Sequence, residues 1–207
     1  MNTNKIIKIL WLIAFSLTGC GSTLPKLDTD YKGGDSAFII ASISNEKTAY
    51  SHTALLIRSK TPSSSSVAAA VGGISYRLSL SKNPDFHIGY EHGDVNILRL
   101  RPGNYEIFDF EAVQSGVASL QVGPDRMTPF TVSLRPNEVV YLGSYRTSVL
   151  RNRFGIPDPF LPSIRISDQS QRDISLARTK EPNLPQTIRK HIPTPRDFNN
   201  RIFTSSP

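Results

Sequence analysis

The chain has 207 residues, with 24 Lys or Arg against 17 Asp or Glu, a net charge of +7, and a single cysteine. Such a length holds one domain with a real hydrophobic core and some additional chain. One cysteine excludes an internal disulfide framework or a cysteine metal cluster, and the positive balance points to anionic surfaces as partners.

Residues 1–19 read as an export signal: Lys5 and Lys8 give a basic start, Ile9 to Leu17 form an apolar run, and small residues follow. The run is too short to span a bilayer as a helix, which takes roughly 20 apolar residues. It ends on Leu17-Thr18-Gly19-Cys20, which resembles the lipobox of bacterial lipoproteins. That resemblance implies cleavage before Cys20, acylation of its thiol, and attachment to a membrane through the acyl chains. Each buried methylene contributes about 0.8 kcal/mol, so two or three chains anchor without practical dissociation. Gly21 follows the cysteine in place of aspartate, which by the family's rule implies the periplasmic face of an outer membrane. Removal of residues 1–19 takes away two lysines and no acid, leaving 188 residues and a net charge of +5.

Residues 20–35 are polar and turn-rich and read as a tether. From Ser36 onward, short apolar runs alternate with Gly, Pro, Asn, Asp and Ser clusters, the pattern of strands. The runs are Ala37–Ile43, Ala54–Arg58, Ile74–Leu80, Val95–Leu100, Tyr105–Phe110, Ser119–Val122, Phe130–Leu134 and Val139–Ser144. No stretch here keeps a helical period over three turns. The expectation is a mostly β domain over residues 36–145, a two-sheet antiparallel sandwich. Thr61–Gly73, TPSSSSVAAAVGG, reads as a surface loop.

One local pattern occurs twice: Leu100-Arg101-Pro102-Gly103 before Tyr105, and Leu134-Arg135-Pro136-Asn137 before Val139. Proline presets φ for the first central position of a tight turn, and Gly103 or Asn137 can take the positive φ of a type II turn at the second. Each copy predicts strand, turn, strand, with the outgoing strand central in its sheet. LRPGNYEIF and FTVSLRPNEVVYLGSY resemble the transthyretin-like or carboxypeptidase-regulatory-like sandwich domains, over roughly residues 36–145. The resemblance implies a transthyretin- or Ig-like fold acting as an accessory or binding module, and function does not follow from fold alone.

The richest cluster of titratable groups is Asp85, His87, Glu91, His92 and Asp94, with residue types that ligate zinc and similar divalent metals. Five positions separate the imidazoles, which puts them on opposite faces of one strand and off a common helical face. Pro84, Gly89 and Gly93 make a solvated loop the plain reading, and a metal-binding protein or metal-dependent hydrolase using His87 and His92 the alternative. There is no Gly-x-Ser-x-Gly elbow, and no cysteine remains once Cys20 is acylated. The Gly33-Gly34 and Gly72-Gly73 pairs lack the context of a phosphate loop. No cofactor is assigned. Tyr105, Phe108, Phe110, Phe130 and Tyr141 fall at strand spacing and read as sandwich core rather than as a stacking platform for nucleic acid.

Residues 146–207 hold eleven Lys or Arg against five acids, while residues 20–145 hold eleven against twelve. Eight of the fifteen prolines also lie in this last segment, so it reads as a basic, proline-rich extension. It is interrupted by one short helix near 168–180, capped by Asp168, carrying Ile174, Leu176 and Ala177, and closed by Pro182. The extension is either a solvated tail or a contact surface for an envelope protein or anionic polymer. In the second case Arg146, Arg151, Arg153, Arg165, Arg172, Arg178, Lys180, Arg189 and Lys190 supply the contacts. A third arrangement has Phe154, Ile156, Phe160 and Leu161 folding the segment back over an apolar patch. Taken together, the sequence suggests a non-enzymatic, lipid-anchored envelope protein whose sandwich and basic tail bind another envelope component.

Overall fold

The computed structural model describes residues 27–46, 52–60, 75–79, 83–114, 118–122, 126–151 and 157–205. The residues read as an export signal and as the start of a tether, Cys20, the segment 61–73, Arg153, Phe154 and Ile156 lie outside the described residues.

The elements in chain order are β1 (Ala37–Glu46), β2 (His52–Ser59), β3 (Ser75–Ser79), β4 (Phe86–Ile88), β5 (Glu91–Leu100), β6 (Gly103–Gln114), β7 (Ala118–Gln121) and β8 (Phe130–Leu134). They continue with β9 (Val139–Arg151), β10 (Pro157–Ser167), α1 (Ser170–Lys180), β11 (Ile188–Lys190), α2 (Pro195–Phe198) and β12 (Phe203–Ser205). Each of the eight predicted runs overlaps a strand. A larger sheet has the order β12-β10-β9-β1-β5-β4, with β11 also on β9, and a smaller one the order β3-β2-β6-β7, with β8 also on β6. The chain is mostly β, in two packed sheets.

Both Leu-Arg-Pro corners carry the chain from one sheet to the other. The first links β5 of the larger sheet to β6 of the smaller, and the second links β8 of the smaller to β9 of the larger. The second corner makes the expected type II geometry: Asn137 has φ 58, and the Glu138 N–H donates to the Arg135 carbonyl at 3.2 Å. At the first corner Gly103 has φ 157 and already pairs with Leu134. It is a strand residue there, not the second centre of a type II turn.

Because these corners switch sheets, strands adjacent in space are distant in the chain. The expectation of purely antiparallel sheets is corrected on this point. The smaller sheet is antiparallel, but in the larger one β9 runs parallel to β1 and to β11, and β10 parallel to β12. Inside β9 the register against β1 slips by one residue between Tyr141 and Ser144, and Gly143 has φ 98. This bulge needs a residue free to adopt positive φ. It also exchanges the faces of β9: Val140 and Leu142 before it, and Tyr145 after it, all lie in the core between the sheets.

That inter-sheet core is built from alternate residues such as Ile39, Ala41 and Ile43 of β1, Leu55 and Ile57 of β2, and Leu98 and Leu100 of β5, and from Ile107 and Phe110 of β6 on either side of a register shift. A second core lies on the outer face of the larger sheet, where Phe38, Ile40, Val95, Val139 and Tyr141 meet Ala177 of α1 and Leu184.

The expected boundary after Tyr145 falls in the middle of β9, and the described residues beyond it are part of the fold. β10 pairs antiparallel with β9 from Ser144 to Arg151, despite its prolines. Its other neighbour, β12, reaches only Ile164 to Ile166, so Pro157, Pro159 and Pro162 stand where a missing N–H disturbs one ladder at most. Ile164, Ile166, Phe198, Ile202 and Phe203 enter the inter-sheet core. Phe198 and Phe203 stack at 4.3 Å, and Phe203 meets Phe110 edge-on at 6.4 Å. Helix α1 lies within the expected span, with Asp168 accepting the Ser170 N–H at 2.9 Å. No helix among the described residues is long and apolar enough to cross a membrane.

Candidate functional site

The segment expected to be a solvated loop is a hairpin. Gly89 and Tyr90 form its two-residue turn, with Gly89 at φ 59 in the first central position, where primed hairpin turns favour glycine. Folding the chain back reverses the spacing argument: residues five apart become direct cross-strand partners, His87 opposite His92. Their rings lie 6.3 Å apart between centroids and 24° from parallel. Both imidazoles share the face of β5 that carries Asp94, Leu98 and Leu100, because side chains alternate along a regular strand.

The other face holds Phe86, Ile88 and Glu91. Phe86 lies across Gly93, where a Cβ would overlap its ring and come within 2.7 Å of the Ser44 Cβ. The carboxylates expected to join the imidazoles are otherwise engaged. Asp85 accepts from the Val95 N–H at 2.7 Å and from Lys180 Nζ at 2.6 Å. Glu91 faces Arg146 at 3.4 Å and Arg172 at 4.0 Å. Asp94 is buried and has a partner of its own. Among the described residues, no three His, Cys, Asp or Glu side chains come together to hold a metal ion.

Beneath α1 lies a polar network that sequence reasoning missed. Asp173 is fully buried and accepts from the Ser42 hydroxyl at 2.7 Å and the Tyr141 hydroxyl at 2.7 Å, while Arg172 reaches its other oxygen at 2.7 Å. Arg172 also bonds Ser42 and Ser144 at 3.3 Å each and covers the Phe86 ring at 3.8 Å. The Tyr141 hydroxyl in turn accepts the Gln169 N–H at 3.2 Å. Burial, then the neighbouring Asp173 charge, raises the Tyr141 pKa far above the ordinary tyrosine value, so its proton stays in place as a donor. The signal was in α1: the residues it buries, Ser170, Asp173 and Ala177, follow helical spacing but are small or polar. Beside this network, Phe86, Ile88, Gln169, Arg172 and Leu176 line an open groove of about 830 Å³.

The basic residues expected to meet a partner are mostly paired inside the molecule. Arg146 bonds Glu46 at 3.0 Å, Arg172 binds Asp173, and Lys180 binds Asp85. Arg178 donates to the Pro185 and Gln186 carbonyls. Arg189 binds Glu138 at 2.6 Å and holds its pKa below the usual carboxylate value. Lys190 bonds Asp168 at 2.8 Å and brings that carboxyl down to about 2. Arg151 closes β9, and Arg153 lies outside the described residues. Arg165 alone of the expected set is exposed without an ion pair among the described residues. Arg196 and Arg201, not singled out by the sequence, are also exposed and line an open depression of about 640 Å³ with Asn199, Asn200 and Phe203. Of the aromatics read as core, Tyr105 and Phe110 are buried between the sheets, Tyr141 lies under α1, Phe130 is partly buried, and Phe108 packs against Arg58.

Comparison with known protein families, curated proteins and solved structures finds nothing that matches this chain.

Proposed function

We propose that this protein is a non-enzymatic, lipid-anchored component of the bacterial cell envelope, tethered through acylated Cys20, whose folded body binds another envelope component. The observation that carries the reading is Leu17-Thr18-Gly19-Cys20 at the end of a short apolar run, with Cys20 the only cysteine in the chain. Gly21 after it favours the periplasmic face of the outer membrane. The tether expected over residues 20–35 is corrected from Leu27 onward: Leu27 is buried in the inter-sheet core, and Thr29 and Tyr31 exchange backbone hydrogen bonds with Arg99 at 3.0 and 3.1 Å.

The contact surface we assign to an anionic partner is narrower than the whole basic segment. It consists of Arg165, Arg196 and Arg201, exposed cations around β12. Internal ion pairs hold most of the other candidates, and cations already neutralised at 2.6–3.0 Å add little to a long-range field.

Two measurements test these statements. Replacing Cys20 by Ser should abolish incorporation of labelled palmitate and leave an unprocessed or soluble chain, and a processed, labelled variant would refute the anchor. Replacing Arg165, Arg196 and Arg201 by Glu should remove salt-sensitive retention on anionic vesicles or envelope extracts, since such contacts are screened over about 10 Å at 0.1 M salt. Unchanged retention would place the contact elsewhere.

A further inference from the structure

Four polar side chains stand side by side across four adjacent strands of the larger sheet. Thr147 of β9 is opposite Asn45 of β1, Asn45 opposite His92 of β5, and His92 opposite His87 of β4. All four are on the face turned toward the smaller sheet, by alternation from Tyr145, Ile43 and Leu98. Thr147 and Asn45 are fully buried, whereas His92 is half-buried and His87 exposed. The row therefore ends, at the sheet edge, in two accessible imidazoles.

We infer that His87 and His92 form a two-imidazole site for a late first-row divalent cation, Cu²⁺ being bound most tightly. Neutral imidazole is the ligand these ions share, and for a given set of nitrogen ligands affinity rises to a maximum at Cu²⁺. Directly opposed residues on antiparallel strands have Cβ atoms about 5 Å apart. An ion bonded to both rings at about 2.0–2.1 Å in neighbouring positions of a tetragonal site requires the ring centres, now 6.3 Å apart, to close by roughly 2 Å. Side-chain rotation supplies this at an exposed edge. Water completes the coordination, since no third protein ligand converges among the described residues.

The backbone that holds the pair is braced. Gly89 fixes the two-residue turn, Phe86 is pinned between Gly93 and the Arg172 guanidinium, and Asp85 ties the start of the hairpin to Val95 and Lys180. Two ligands on a braced hairpin behave as a chelate: once the first is bound, the second is already at high effective concentration. The positive Arg146 and Arg172 side chains lie on the opposite face with Glu91, while the acid Asp94 shares the imidazoles' face. This inference does not depend on the lipid anchor.

The test is titration of the full chain, purified in detergent without chelator, with Cu²⁺ alone. One tight equivalent is expected, with pulsed electron paramagnetic resonance reporting two coordinated imidazoles. His87→Gln and His92→Gln should each weaken binding about 10²-fold, while His52→Gln and His191→Gln leave it unchanged. In the unmutated chain Cu²⁺ should protect His87 and His92 together from diethyl pyrocarbonate, a readout that does not depend on any variant folding. A wild-type chain with no tight equivalent would overturn the site. So would full binding in either single variant, or protection at His52 or His191 instead.

Discussion

Asp173 has no exposed surface, yet three donors converge on it: the Ser42 and Tyr141 hydroxyls and the Arg172 guanidinium. A buried carboxylate is tolerated only when paired and hydrogen-bonded, and removing one member of such a group strands the others. Asp173→Ala should therefore cost about 3 kcal/mol in denaturant unfolding, and Asp173→Asn less, because its amide oxygen still accepts from the hydroxyls. Equal losses would show that the charge, not the acceptor geometry, holds α1 down. A second residue sets a pH response. His191 meets Phe130 edge-on at 4.9 Å, and its Nδ1 lies 2.9 Å from Arg189 Nη1. Burial first, and the Arg189 charge second, lower its pKa from the usual 6.5. With the folded value below the unfolded one, the fold favours neutral imidazole, and stability falls as pH drops through the unfolded value. The thermal midpoint should fall between about pH 7.5 and about pH 5.5, and His191→Gln, which keeps an acceptor for Arg189, should flatten that fall.

At the scale of elements, the β4–β5 hairpin shows how a glycine and an aromatic replace a side-chain pair. Phe86 lies over Gly93, and a methyl there would meet the Phe86 ring, the Ser44 Cβ at 2.7 Å and the Ile43 carbonyl at 2.8 Å. The neighbours are a ring under Arg172 and a central-strand backbone, neither free to yield. Gly93→Ala should lower stability by about 1–3 kcal/mol, the ordinary range for overpacking, and a full-stability variant would show that β4 is not held against β5. This element was hidden in the sequence because β4 has only three residues, too few for alternation to register. The eight longer runs were legible for the opposite reason: strands such as Phe130–Leu134 alternate over a whole face. β10 was obscured by its prolines, which mark a break unless one edge of the strand is known to be open. The His87–His92 pairing was illegible for a separate reason, since spacing along a chain says nothing about faces once a turn intervenes.

For the molecule as a whole, the described residues after Tyr145 extend the larger sheet and fill part of both cores, and the sequence concealed this because charge and proline content describe what a segment contains, not what covers it. The paired corners and the charge segregation were both readable, but internal pairing of the cations depends on acids such as Asp85 and Glu138, 95 and 51 positions away from Lys180 and Arg189. Two truncations separate the roles of this segment. Ending the chain after Tyr145 cuts β9 between residues that pair with β1, removes β10, and leaves one side of β9 open. Ending it after Ser167 keeps β10 but uncovers Phe38, Ile40 and Tyr141 on the outer face and removes Phe198, Ile202 and Phe203 from the inter-sheet core. Each of those three side chains contributes about 2 kcal/mol through burial, so their loss alone approaches the 5–15 kcal/mol that holds a domain of ordinary stability. Both truncated chains should therefore fail to unfold cooperatively on heating and should bind hydrophobic dyes. The outcome that would overturn this is a sharp thermal transition in the chain ending at Tyr145. It would mean that the first sheet pairs suffice, and that β10 to β12 dock on a domain already formed.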